Sequence, residues 1–185
     1  LADALSAVRK GWQAKQAQAK GSLKSSRLLV DFGQLGRRNW RQDGSSFRTG
    51  PVEPGDFILG GEPTEPFGQV FTRSSATWDA AFAGLVVDKQ SENENGRLSG
   101  WMQAGRTIRT PTFVPKSGIV WYLAAGAGHA FASVNSHRLL HGPLHGQTVL
   151  SWDADAKNPT RRRWIRHDLS AFAGHRVHIE FSTRG

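Results

Sequence analysis

Short apolar or alternating runs, most of them closed by a glycine- or proline-bearing turn, recur from residue 28 to residue 181. Alternation with period two places side chains on opposite faces of a strand, and runs this short are too brief for stable helices. The runs are Leu28–Phe32, Gln69–Arg73, Leu98–Gln103, Thr107–Val114, Ile119–Ala125, Ala130–Val134, Arg138–Leu140, Arg163–His167 and Arg176–Phe181. Ile119–Ala125 is apolar throughout and reads as a fully buried strand. The pattern predicts a mainly β fold, an antiparallel β-sandwich or a jelly roll. Trp101, Trp121 and Trp164 sit inside such runs and are expected in the core.

Three stretches interrupt the pattern. Residues 50–68 hold four Pro and five Gly and read as a long ordered loop. Residues 88–97 are polar and turn-like, and Trp78–Leu85 fits a short helix or a strand equally well.

Residues 1–27 differ in kind. They are rich in Ala, Gln and Lys, good helix formers, and Leu1, Leu5, Val8 and Trp12 fall on one helical face. Six basic residues stand there against Asp3, so over half of the chain's +9 lies outside the expected sandwich. The division is therefore a helical linker or arm at 1–27 and a β-sandwich domain at 28–185. The N-terminal helix is expected outside the sandwich, packing through Leu5, Val8 and Trp12. Leu1 opens within the helical pattern, so the chain reads as cut from something longer.

Zero cysteines exclude a disulfide scaffold, a Cys-ligated zinc or iron–sulfur site, a cysteine nucleophile and a c-type haem attachment on this sequence. No apolar run approaches the roughly 20 residues of a membrane span. His137, His141 and His145 recur every fourth residue, but Gly142 and Pro143 would break the helix needed to gather them around a metal. Asp153 and Asp155 resemble part of a calcium loop that lacks its terminal acid. Neither a G-x-S-x-G elbow nor a phosphate-binding glycine loop occurs in a usable context. The run Arg161–Arg162–Arg163–Trp164 splits its charges between two strand faces, and no RNA-recognition signature accompanies it. No catalytic residue, metal ligand, cofactor or nucleic-acid partner is expected.

Sugars present C–H faces that stack on aromatic rings and hydroxyls that bond planar polar groups. Loops at the tip of a sandwich can supply both. The candidates are Trp40, Arg41, His129, Asn135, His137, Arg138, Trp152 and Asp153. Each also has a plainer reading: core for the tryptophans, solvated surface for the rest.

The most specific stretch is Trp164-x3-Asp168-Leu169-Ser170-Ala171-Phe172-Ala173-Gly174-His175-Arg176-Val177-x-Ile179-x-Phe181. Asp168 or Ser170 can cap the turn, Gly174 can reverse the chain, and Val177, Ile179 and Phe181 would face the core. This stretch resembles the D-L-S-x-[YF]-x-G turn of bacterial galactose-binding-like jelly rolls. Further motifs follow in order: Leu29-Val30-Asp31-Phe32, Trp40, Gly44-Ser45-Ser46-Phe47-Arg48-x-Gly50-Pro51, Gly96-Arg97-Leu98-Ser99-Gly100, Ile108–Phe113, and Ala125-Gly126-x-Gly128 before Val134-Asn135. Together they are similar to the non-catalytic sandwich inserted in planctomycete cytochrome-c-linked multidomain proteins. The resemblance implies a periplasmic or extracellular setting, glycan binding as the function, and neighbouring domains of a parent protein as partners. The alternatives are a purely structural or protein-interaction domain and, third, a glycan-active enzyme. Relatives of this kind continue past the last strand and hold a structural calcium. The sequence ending at Gly185 therefore predicts no tight calcium and an open sheet edge at Leu28–Phe32 or Val177–Phe181.

Overall fold

The computed structural model describes residues 6, 9–11, 13–14, 26–82, 106–136 and 147–183. The expected N-terminal helix contacts through Leu5, Val8 and Trp12, the strands Leu98–Gln103 and Arg138–Leu140, the polar stretch 88–97 and the core position of Trp101 lie outside the described residues. So do His137 and Arg138.

Among the described residues the chain is mainly β. Its strands are β1 (Gln42–Gly44), β2 (Phe57–Glu62), β3 (Glu65–Val70), β4 (Arg106–Arg109), β5 (Ile119–Ala124), β6 (Gly128–Val134), β7 (Val149–Trp152), β8 (Arg163–Asp168) and β9 (Val177–Thr183). One five-stranded sheet runs β1-β4-β9-β6-β7, and every neighbouring pair is antiparallel. β5 and β8 form a separate antiparallel pair, in register from Ile119↔Asp168 to Ala124↔Arg163. β2 and β3 form a hairpin of their own.

The β5–β8 pair covers one face of the larger sheet, which gives a sandwich-like core. Val120 and Tyr122 of β5 share a buried cluster with Ala130 and Ala132 of β6, Val177 and Ile179 of β9, Phe113 and Leu169. The Tyr122 and Phe181 rings meet edge to face across the layers at 4.9 Å. Removing each large apolar side chain from water stabilises the fold by roughly 1.5–3 kcal/mol. β6 and β9 are withdrawn on both faces, since Phe131, Ser133, Glu180 and Ser182 on the far side are buried as well.

The turn from β8 to β9 forms as its sequence predicts. Asp168 Oδ1 accepts the Ser170 N–H at 3.1 Å, a 3-10 turn spans Ser170–Phe172, and Gly174 has φ +83°. That backbone conformation favours glycine. Phe172 packs against the core cluster, and Val177 and Ile179 are fully buried.

Several expectations are corrected. Leu28–Phe32 is not a strand: Asp31 turns the chain there by accepting the Gly33 N–H at 2.9 Å, and Phe32 packs edge-on against Trp40 and Phe181. Val177–Phe181 is no open edge, because β9 lies between β4 and β6. The Pro- and Gly-rich residues 50–68 hold β2 and most of β3, with register shifts that absorb the irregular composition. The strand expected at Gln69–Arg73 instead runs Glu65–Val70. Trp78–Leu85 contains a 3-10 turn at Ala80–Phe82, with Asp79 Oδ1 accepting the Ala81 N–H. Thr107–Val114 is a strand only over β4. Past Pro111 the chain touches β9 again through a bridge from Phe113 to Val177. No described helix is long and apolar enough to cross a membrane.

Candidate functional site

The described members of the expected tip-loop site do not come together; most are engaged in structural bonds. Trp40 is half-buried, and its Nε1 donates to the Arg48 carbonyl at 3.1 Å. His129 is on β6 rather than in a loop, with Nδ1 2.8 Å from Ser151 Oγ on β7. Asn135 sits in a left-handed turn after β6. Its Nδ2 donates to His175 Nδ1 at 2.9 Å, and its Oδ1 accepts the Arg176 N–H at 3.2 Å. These bonds lock that turn to the start of β9.

Trp152 is the last residue of β7, not a loop residue. Its indole lies over Gly128, where an added Cβ would stand 2.6 Å from the ring, and its Nε1 donates to the Gly126 carbonyl at 3.1 Å. Asp153 follows it and is exposed, and its carbonyl accepts the Arg163 guanidinium. Arg41 is exposed, next to Trp40 in the chain and just before β1.

Large apolar residues face solvent on the β2–β3 hairpin, where Phe57, Leu59, Phe67 and Val70 are exposed, and again on β5 and β8. Trp121 is 51% exposed, Leu123 52% and Trp164 59%. This corrects the expected burial of Trp121 and Trp164. Both lie on strands, but the alternation turns Val120 and Tyr122, with Ile165 and His167, toward the core. Their strand neighbours must then point outward. The apolar run Ile119–Ala125 is thus buried on one face only.

In register, Leu123 lies opposite Trp164 and Trp121 opposite Arg166. The two indoles are therefore diagonal neighbours, about 7–8 Å apart at the backbone, within reach of one flat ligand. Neither makes a hydrogen bond or ring contact among the described residues. Arg166 Nη2 and Asp168 Oδ2 pair at 2.9 Å along the same outward row. Hydrogen bonds from the Ser170 hydroxyl and N–H, and then from Arg166, hold the Asp168 carboxyl down to about 2. It stays ionised at neutral pH and holds no proton for acid catalysis.

Directly beneath this face lies a polar contact inside the core. The Gln147 carbonyl takes a hydrogen bond from His167 Nε2 at 2.9 Å, which fixes the proton there. Nδ1 then accepts the Tyr122 hydroxyl at 2.7 Å. Burial pushes the His167 ring below its usual range and the Tyr122 hydroxyl well above its own. A neutral imidazole with both nitrogens bonded is a satisfied core group rather than a free base.

Among the described residues no group of three or more His, Asp or Glu gathers in a way that could hold a metal. Asp155 turns its carboxylate inward on its own loop. The N–H groups of Lys157 and Asn158, then Arg161 and Arg163, hold its carboxyl below the usual range. The outward turn of Trp121 is hidden in the sequence because a run apolar at every position carries no period to show which face turns out, and in Arg163–His167 the adjacent Trp164 and Ile165 leave open which of the two enters the core. No family model matches the chain, and neither the curated proteins nor the solved structures yield a match.

Proposed function

We propose that the domain is a non-catalytic glycan-binding module of a larger exported protein, with the outer face of β5–β8 as its platform. The observation that carries this reading is the diagonal pair Trp121 and Trp164, both exposed on the outer face of one two-stranded layer. Large exposed apolar patches on soluble domains mark interaction sites. An indole face suits the C–H face of a sugar ring, and the Arg166–Asp168 pair beside it offers donors and acceptors to hydroxyls. The ordered motifs that resemble galactose-binding-like sandwiches support the same reading, including the exported, multidomain setting. In this reading the glycan platform is a strand face rather than the tip loops.

A second reading, docking of a neighbouring domain of the parent protein, is favoured by one detail. Leu123 stands between the indoles, 52% exposed, and aliphatic side chains suit a protein partner better than a sugar.

The two readings separate in a glycan array followed by calorimetric titration of any hit. Glycan binding should weaken about tenfold or more in Trp121→Ala and Trp164→Ala, a change of roughly 1.4 kcal/mol or more. A folded chain that retains no glycan, or one whose glycan affinity is untouched by both substitutions, sinks the platform and leaves the docking reading.

A further inference from the structure

The opposite side of the molecule carries a different feature. The Arg41 carbonyl accepts the Arg109 N–H at 2.9 Å, so the β1–β4 ladder runs one residue past Gln42↔Ile108. Arg41 and Arg109 thus stand directly opposite each other on adjacent strands. Like charges in that position repel and weaken a sheet. Neither guanidinium has an ion-pair partner among the described residues. The pair opens into a cavity of about 240 Å³, completed by Thr110, Pro111, Thr112 and His178.

Glu180 is the carboxylate in register with Arg109 on β9. It forms no ion pair with that arginine, and its Oε1 accepts His178 Nε2 at 3.0 Å. The cavity therefore keeps an excess of positive charge. Its two planar guanidinium groups match an oxyanion, which each can bind through two parallel N–H bonds. A water occupies about 30 Å³ of liquid, so the space admits an oxyanion with several hydrating waters.

We infer that this cavity is an anion-binding site for a sulfate, phosphate or carboxylate group, with Arg41 and Arg109 as its binding residues. Arg109 faces away from the core that Ile108 and Ile179 enter, whereas Trp121 and Trp164 project from the far layer. The inference is independent of the glycan platform, and the two can fail separately.

Calorimetric titration of the full chain with sodium sulfate, sodium phosphate and sodium glucuronate tests it, at constant ionic strength against chloride. Saturable binding of at least one anion is expected. Preference for sulfate or phosphate identifies a tetrahedral group, and preference for glucuronate identifies a sugar carboxylate. Arg41→Gln and Arg109→Gln should each weaken binding at least tenfold, Arg41→Lys less. Trp121→Ala should leave it unchanged. Arg41 is exposed, so its variant keeps the test open if Arg109→Gln does not fold. Absence of saturable binding for all three anions overturns the inference. So does unchanged affinity in Arg41→Gln. A melting temperature that sulfate raises equally in wild type and Arg41→Gln also counts against it, because excluded salts stabilise any folded chain.

Discussion

β5 is the more hydrophobic of two neighbouring strands, yet it is the more exposed. Its sequence Ile119-Val120-Trp121-Tyr122-Leu123-Ala124 is apolar apart from the Tyr122 hydroxyl, and Trp121 and Leu123 stand in solvent. β6, with the sequence Gly128-His129-Ala130-Phe131-Ala132-Ser133-Val134, holds a histidine and a serine, and is buried on both faces over most of its length. Position explains the difference. β6 lies inside a five-stranded sheet, between β9 and β7, whereas β5 belongs to a two-stranded layer with only one face against the core. Burial follows the place of a strand in the stack. Apolar area beyond what the stack needs is left available for a partner.

The sharpest way to break this comparison is to truncate an aromatic ring in each strand. Phe131 is 1% exposed. Its replacement by Ala removes a ring from a packed site that collapses only in part, at a cost of about 3–5 kcal/mol. Urea denaturation should show that loss as a lowered midpoint with an unchanged slope. A cost below about 1 kcal/mol would mean that the far face of β6 is not a packed surface.

What the sequence made legible was local. The β8–turn–β9 unit could be read because Asp168, Ser170 and Gly174 shape the turn from within a few residues, and because Val177 and Ile179 keep a clear alternation. The hairpin β2–β3 was hidden for the opposite reason. Its residues are mostly exposed, so no core demanded an apolar period, and Pro63 and Pro66 imitate a loop. Leu28–Phe32 has the composition of a strand, but Asp31 turns the chain by accepting the Gly33 N–H, and Phe32 is held by ring contacts with Trp40 and Phe181 rather than by a ladder. Trp152 reads as a tip-loop residue in the sequence, yet its ring packs on Gly128 and it lies at the end of a strand. The outward turn of Trp121 depends on which layer covers β5, and that is a property of the whole fold.

A smaller effect separates the two faces of β8. His167 points inward and Asp168 outward. Burial lowers the His167 pKa in the folded chain, so the neutral ring is favoured there, while the unfolded chain protonates near 6.5. The unfolded state therefore binds the additional proton below that pH. The contribution of His167 is complete above about 6.5 and is lost as pH falls from there toward its folded pKa. Asp168, held near 2, gives up its own contribution only in a lower window, from about 3.9 downward. Denaturation midpoints between pH 8 and pH 5 should fall on the acid side, and His167→Gln should flatten that slope. An equal slope in wild type and variant would place the titration elsewhere.

The smallest expected effect on stability is the one that completes the comparison. Trp121→Ala removes a larger side chain than Phe131→Ala does, but 51% of the residue is already in water. Its ring has no hydrogen bond or ring contact to lose among the described residues. What remains is the preference of an aromatic residue for a strand and its cross-strand contact with Arg166, each up to about 1 kcal/mol. The Trp121→Ala midpoint should therefore lie close to wild type, and that of Trp164→Ala likewise, while Phe131→Ala falls far below both. The opposite ranking, with Trp121→Ala as costly as Phe131→Ala, would mean that the outer face of β5 is structurally covered. The indoles would then be packing residues, and the platform would have no surface to offer.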